Sequence, residues 1–298
     1  MRILVTGAGG LVGSALVPCL RTHGHGVTRL VRSRRPRGDE VRWDPIGGTI
    51  DPASLEGFDA VIHLAGESIA SGRWTPEVKA RIRDSRVRGT RLLCETLARL
   101  DRPPHVLLSA SAIGYYGDRG DEVLREESTA GSGFLSEVCR AWEAATEAAA
   151  RKGIRVAHLR FGVVLSPAGG ALAKMLPPFR LGAGGRLGNG RQFMSWITIN
   201  DAINAIVHVL KTDALIGPVN VVAPAPERNA DFTRALGRAL GRPTPLPVPA
   251  LALRLLLGEM AGALLLSSAR VEPARLLSTG FAFRTPYLRD ALTHLLGC

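Results

Sequence analysis

An apolar strand that runs straight into a glycine turn and then a helix permits very few folds. Residues 1–14 read MRILVTGAGGLVGS. Ile3-Leu4-Val5 lead into Thr6-Gly7-Ala8-Gly9-Gly10-Leu11-Val12-Gly13, and a helical pattern starts at once. That order builds a dinucleotide phosphate cradle at the first crossover of a parallel sheet. One glycine makes the tight turn, one lets the backbone approach a pyrophosphate, and one lets helix and strand pack closely. The first helical N–H groups, from Leu11 onward, then face the phosphates with the positive end of the helix dipole. The alternative, a structural β–α turn, has no need of four glycines in seven residues. A strict G-x-G-x-x-G from Gly7 would place glycine at position 12, where Val12 stands; the spacing is instead T-G-x-x-G-x-x-G through Gly7, Gly10 and Gly13.

The rest of the chain continues what this turn begins. Short β-branched or apolar runs at 2–6, 27–31, 58–64, 105–110 and 155–160 alternate with helical patterns at 11–23, 75–100 and 132–152. Continuous apolar strands fit a parallel sheet covered on both faces. The expected fold is α/β, a doubly wound parallel Rossmann sheet with a small, mainly helical C-terminal lobe. Residues 162–190 read as loop, followed by a strand near 194–199, a helix at 200–212 and a strand at 218–222. The division expected is 1–225 for the nucleotide-binding domain, including substrate-side loops 162–196, and 226–298 for the lobe. Asp201 is placed to cap the helix at 202–212.

Composition narrows the function classes. The formal net charge is +12, but only Lys79, Lys152, Lys174 and Lys211 are lysines, and arginine is spread along the whole chain. Three tyrosines and eight phenylalanines offer no base-stacking platform, so nucleic acid is not expected as a partner. Residues 249–266, PALALRLLLGEMAGALLL, are apolar, yet Arg254, Gly258, Glu259 and Gly262 interrupt them. They read as a buried or interface-forming helix, not a membrane span. Cys19, Cys94, Cys139 and Cys298 have no metal or redox spacing and read as buried or incidental thiols in a reducing, cytoplasmic setting. An oligomer is compatible with these residues.

The end of the second strand selects the cofactor. An NAD site carries Asp or Glu there to bind the ribose 2′-hydroxyl. This chain has Leu30-Val31-Arg32-Ser33-Arg34-Arg35. A guanidinium at Arg32 suits a 2′-phosphate, which points to NADP(H). The competing reading is a charged surface loop, and the arginines of the 79–91 helix are read mostly that way.

Larger motifs carry a resemblance. R-W-T-P-E at 73–77 with Ser85-Arg86, G-Y-Y-G at 114–117, L-R-F-G-V-V-L at 159–165, M-L-P-P-F-R-L-G at 175–182, G-x-G-R-Q-F at 188–193 and G-F-x-F at 280–283 are distinctive. With the T-G-x-x-G-x-x-G turn, they resemble the epimerase family of atypical short-chain dehydrogenase/reductases, of YfcH type, over essentially the full length. The family's C-terminal extension would begin near 248. The resemblance implies cofactor contacts from the glycine turn, Val31-Arg32, Leu64-Ala65 with Gly66 beside them, Arg86 and Val164. It also implies that Ser111, at the end of the strand Leu108-Ser109-Ala110-Ser111, polarises a substrate oxygen; the plain alternative is a strand-end serine that caps its turn. His63 is read as a strand residue rather than a catalyst.

One expected feature is missing. The superfamily carries Tyr-x-x-x-Lys on the next helix, tyrosine as proton donor and lysine to lower its pKa. Here Phe134 with Val138 occupies the first register and Leu135 with Cys139 the second. A proton would then have to come from Tyr115, Tyr116 or Glu137. Two functions stay open: an NADP(H)-dependent oxidoreductase or epimerase on a small, nucleotide-linked or other substrate, and a non-catalytic NADP(H)-binding sensor or assembly/division factor.

Overall fold

The computed structural model describes every residue except Arg34, Ser71 and Cys298. Its elements follow in the order β1 (Arg2–Thr6), α1 (Leu11–Thr22), β2 (Gly26–Val31), β3 (Glu40–Asp44), β4 (Thr49–Ile50), β5 (Ala60–His63), α2 (Pro76–Ala98) and β6 (Val106–Ala112). Then come α3 (Phe134–Ala144), α4 (Glu147–Arg151), β7 (Arg155–Phe161), α5 (Gly170–Arg180), α6 (Ile199–Lys211), β8 (Gly217–Val221), α7 (Asn229–Ala239) and α8 (Ala250–Leu257). The eight strands form one sheet in the order β8-β7-β6-β5-β1-β2-β3-β4. Every neighbouring pair is parallel except β3 with β4.

Strand alternation distributes the apolar residues. Ile3, Val5, Ile62, Leu108 and Leu159 pack under α1 and α6, while Leu4, Val61, Leu107 and Val156 face α2 and α4. The chain runs outward from β1 through β2 to β4, then returns to the other side of β1 with β5. Strand order reverses between β1 and β5, and the crevice at that reversal is where open α/β sheets bind ligands.

Three features depart from the expectation. Residues 170–180 are helical although they read as loop: Pro177 and Pro178 sit late in α5, and Gly169-Gly170 begin it. The span 132–152 is two helices, because the Thr146 hydroxyl donates to the Glu143 carbonyl (2.8 Å) at the break. The helix after 198 starts at Ile199 and Thr198 is its cap, its hydroxyl accepting from the Asp201 N–H (3.2 Å). The fully buried Asp201 instead accepts from the Arg284 N–H (2.9 Å) and from the N–H (3.0 Å) and hydroxyl (2.8 Å) of Thr285, tying the end of the chain to α6.

Residues 226–298 are mostly helical, and part of them lies along the β8 edge of the sheet, where Arg275 Nη1 donates to the Pro218 carbonyl (2.9 Å). Arg270–Val271 pairs in parallel with Val123–Leu124, and Phe193–Met194 pairs antiparallel with Glu227–Arg228. Among the described residues no helix is long and apolar enough to cross a membrane. Of the cysteines, Cys94 and Cys139 are buried and Cys19 half-buried, all free, and Cys298 lies outside the described residues.

Candidate functional site

The glycine turn shows why side chains are excluded from it. Gly7 has φ +67°, and a Cβ there would stand 2.6 Å from the Leu64 carbonyl. A Cβ on Gly13 would stand 2.2 Å from the Gly7 carbonyl oxygen, and one on Gly10 3.3 Å from it. Gly10 caps α1 with no side-chain bond, so the N–H groups of Leu11, Val12 and Gly13 are left to an outside acceptor. The cradle thus has the backbone form that a pyrophosphate requires.

The other side of the crevice is held by a buried polar chain. Thr6 Oγ1 accepts from the N–H groups of Leu64 (3.1 Å) and Ala65 (3.2 Å), so its own proton goes to His63 Nδ1 (2.7 Å). His63 is therefore protonated at Nε2, which donates to Thr90 Oγ1 (2.9 Å); Trp142 Nε1 donates to the same oxygen (2.9 Å). Burial lowers the His63 pKa to about 4, which keeps the ring neutral. His63 is a structural hub that fixes the 64–66 turn against β1, α2 and α3.

Arg86 lies across that turn. A Cβ on Gly66 would stand 3.3 Å from its guanidinium carbon. Its Nη1 donates to the carbonyls of Glu67 (2.9 Å) and Ile82 (3.1 Å), and the guanidinium sits over Trp142 at 5.0 Å. Burial lowers its pKa, and among the described residues no carboxylate is bonded to it. Gly169 and Gly170 bring the start of α5 against Leu11, and a Cβ on Gly170 would lie 3.6 Å from the Val164 carbonyl. Thr6 pairs with Leu30 at the end of β1, so Val31-Arg32 lie just past the last position paired with that strand, at the same end of the sheet as the glycine turn. Arg32 is exposed and unpaired among the described residues, whereas Arg29 is held by Asp39 (2.9 Å) and Glu40 (3.1 Å). The glycine turn thus lies against Leu64-Ala65, with Arg86 next to Gly66 and, through Leu11 and Gly170, Val164 on its other side. Arg34 of the same loop lies outside the described residues.

The four named proton-handling groups are not equivalent. Ser111 lies between the sheet and α3, 2 % exposed, and donates to Glu143 (2.6 Å). Glu143 also accepts Arg160 Nε (2.8 Å) and Nη2 (2.9 Å). Tyr116 is fully buried; its hydroxyl donates to Asn220 Oδ1 (2.7 Å) and accepts from Arg160 Nη1 (2.9 Å). Burial pushes the phenol up to about 12 against the opposing effect of Arg160. Glu137 is exposed in the first turn of α3. Tyr115 alone is half-buried with a hydroxyl that has no hydrogen-bond partner among the described residues, and its ring lies 3.5 Å under the Arg160 guanidinium. Burial alone would lower the Arg160 pKa; Glu143 and Tyr116 outweigh it, and the net shift is upward.

The two candidate registers of α3 face different neighbours. Leu135 and Cys139 face the turn after β6, within 3.3 and 3.8 Å of a Cβ on Gly114. Phe134, expected in the first register, instead packs edge-to-face on Trp74 (5.1 Å). Burial pushes the Cys139 thiol up to about 11, so it is a protonated, inert group. The Arg160–Glu143 pair escaped the sequence reading; its signal was a second arginine, Arg160, near the far end of the strand 155–161, which reads RVAHLRF. No group of three or more metal-ligating side chains occurs among the described residues.

The sequence profile of the NAD dependent epimerase/dehydratase family matches residues 3–222. The chain belongs to that family. Residues 248–295 match a domain of unknown function, DUF1731, where the family-specific extension was expected. This family member is 44 % identical to a Mycobacterium bovis epimerase family protein over 97 % of its own length and 96 % of the relative's. The structure of human epimerase family protein SDR39U1 with NADPH superposes with a TM-score of 0.91 at 34 % identity, covering 100 % of this chain and 99 % of the human one. A nucleoside-diphosphate sugar epimerase from Corynebacterium glutamicum gives a TM-score of 0.82 at 39 % identity, covering 100 % of this chain and 58 % of that one. The epimerase-family member is thus an atypical short-chain dehydrogenase/reductase with the Rossmann sheet its first residues indicated.

Proposed function

We propose that this chain is an NADP(H)-dependent oxidoreductase or epimerase acting on a small substrate, with Tyr115 as its proton donor. The observation that carries the cofactor choice is Arg32, exposed and unpaired at the same end of the sheet as the glycine cradle, where a 2′-phosphate would lie. The NADPH found with human SDR39U1 supports the same choice. When bound, the nicotinamide would supply or accept hydride. Leu11, Val12 and Gly13 would hold the pyrophosphate with backbone N–H groups, Leu64 to Gly66 and Val164 would wall the crevice, and Arg86 would add positive charge to it. Ser111 serves this site indirectly, because its proton is directed at Glu143 and not at the crevice. Tyr116 and Glu137 drop out, one locked in the core and the other turned to solvent.

The experiment is an NADPH oxidation screen against sugar nucleotides, aldehydes and quinones, with wild type and Tyr115→Phe. Turnover lost in Tyr115→Phe, at unchanged NADPH affinity, supports the reading. A second reading is favoured by one specific observation, the Leu135 and Cys139 pair in place of an acid and a lysine. It makes the chain a non-catalytic holder of NADP(H). Tight NADPH binding with no turnover of any of these classes would support that reading over the first.

A further inference from the structure

We propose that the outer face of α8 and the loop after α5 form a docking surface for an anionic lipid membrane. The apolar 249–266 segment does not bury all its leucines. Leu253 points inward at 8 % exposed, while Leu251 and Leu255, one helical turn apart, are each 68 % exposed and Leu256 is 70 % exposed. Leu246 is 68 % exposed just before the helix, and Leu181 is 84 % exposed just after α5.

These residues belong to one patch. The 181–188 loop is stitched to the 246–250 segment by hydrogen bonds from the Val248 N–H to the Arg186 carbonyl (2.8 Å) and from the Gly188 N–H to the Val248 carbonyl (2.9 Å). A single exposed leucine needs no explanation, but five in one region do.

Charge decides what covers the patch. No aspartate or glutamate occurs between Glu147 and Asp201, or between Asp231 and Glu259. The two acid-free stretches that build this face contribute Arg180, Arg186, Arg242 and Arg254, all exposed and unpaired among the described residues. The next acid along the chain, Glu259, is already held by Lys79 (2.9 Å). A second copy would bring the same unpaired arginines against these, so like charges oppose a symmetric dimer here. Nucleic acid would pair the arginines but leave the leucines in water. A bilayer with anionic headgroups satisfies both: phosphates meet the rim, and hydrocarbon takes protruding side chains without a preformed pocket. The contact is peripheral; α8 is eight residues long and cannot span.

The test is co-sedimentation of the full chain with phosphatidylcholine vesicles, with and without phosphatidylglycerol. Binding is expected only with phosphatidylglycerol and should weaken as salt rises. Leu251→Ser with Leu255→Ser should reduce vesicle affinity by on the order of tenfold per leucine. Arg180→Gln with Arg186→Gln should lower it further. Neither pair should change NADPH affinity or the thermal melt, because these side chains lie outside both the cofactor crevice and the core. Failure of wild type to bind phosphatidylglycerol vesicles would overturn the proposal, as would undiminished binding by the leucine pair. A salt-stable dimer that the leucine pair dissolves would assign the face to a second copy instead.

Discussion

Removing the Glu143 carboxylate should be among the most damaging single changes in this protein. Its partner Arg160 has a side chain 3 % exposed, and Glu143 itself is 12 % exposed, so neither charge can be re-solvated without moving α3. Glu143 accepts three hydrogen bonds, two from Arg160 and one from Ser111. In Glu143→Ala the guanidinium keeps only its bonds to Tyr116 (2.9 Å) and the Glu126 carbonyl (3.3 Å) and its stacking on Tyr115. Breaking one side of a buried pair costs about 3–5 kcal/mol. Unfolding entropy for a chain of this length is roughly 0.6 kcal/mol per kelvin, so Tm should fall by about 5–8 °C. Differential scanning calorimetry on Glu143→Ala, Arg160→Met and the double variant checks it. The double variant should recover part of the loss, because it leaves no unpaired buried charge. A loss under about 1 kcal/mol for Glu143→Ala, or strict additivity in the double variant, would refute the buried-pair reasoning.

Three further outcomes are expected. Arg32→Asp should narrow or reverse a preference for NADPH over NADH, by about 10- to 100-fold in relative Kd if one charge-assisted bond is lost; equal wild-type affinities in fluorescence titration would contradict the 2′-phosphate assignment. Gly13→Ala should abolish cofactor binding, since the new Cβ would lie 2.2 Å from the Gly7 carbonyl; isothermal titration at wild-type affinity would show that the turn yields. His63 has a folded pKa of about 4, below its unfolded value near 6.5, so the unfolded chain binds the extra proton between those limits. Its contribution is complete above about pH 6.5 and declines toward pH 4, by on the order of 3 kcal/mol. Urea midpoints for wild type and His63→Asn across that range should converge as pH falls, and parallel curves would exclude a neutral buried His63.

Different parts of the site were legible to different degrees. The cradle was readable because its constraint is local: positive φ at Gly7 and backbone approach at Gly13 arise within one turn and leave glycine as the residue that fits. The alternating strands and helices were readable for the same reason, as each carries its own period. Helix α5 was hidden by Gly169-Gly170, which mark loops elsewhere but here cap and open the helix, and by Pro177-Pro178, which sit in its interior where packing overrides propensity. The two possible registers of α3 were indistinguishable in sequence, because Phe134 and Leu135 are both apolar. Contact with Trp74 on one side and Gly114 on the other separates them.

By itself, then, the sequence determined the fold class, the glycine turn at the first crossover and the positive charge of Arg32 at the end of the second strand. Each of those depends on residues within a few positions of one another. Which hydroxyl stays free was decided only by the tertiary structure. Ser111 and Glu143 are 32 positions apart, and Tyr116 and Asn220 104 apart. Their pairing depends on the sheet bringing β6, β7 and β8 side by side with α3 against them. Tyr115 and Tyr116 are neighbours of identical chemistry, and only burial commits one to the core and leaves the other half-buried with a hydroxyl unbonded among the described residues.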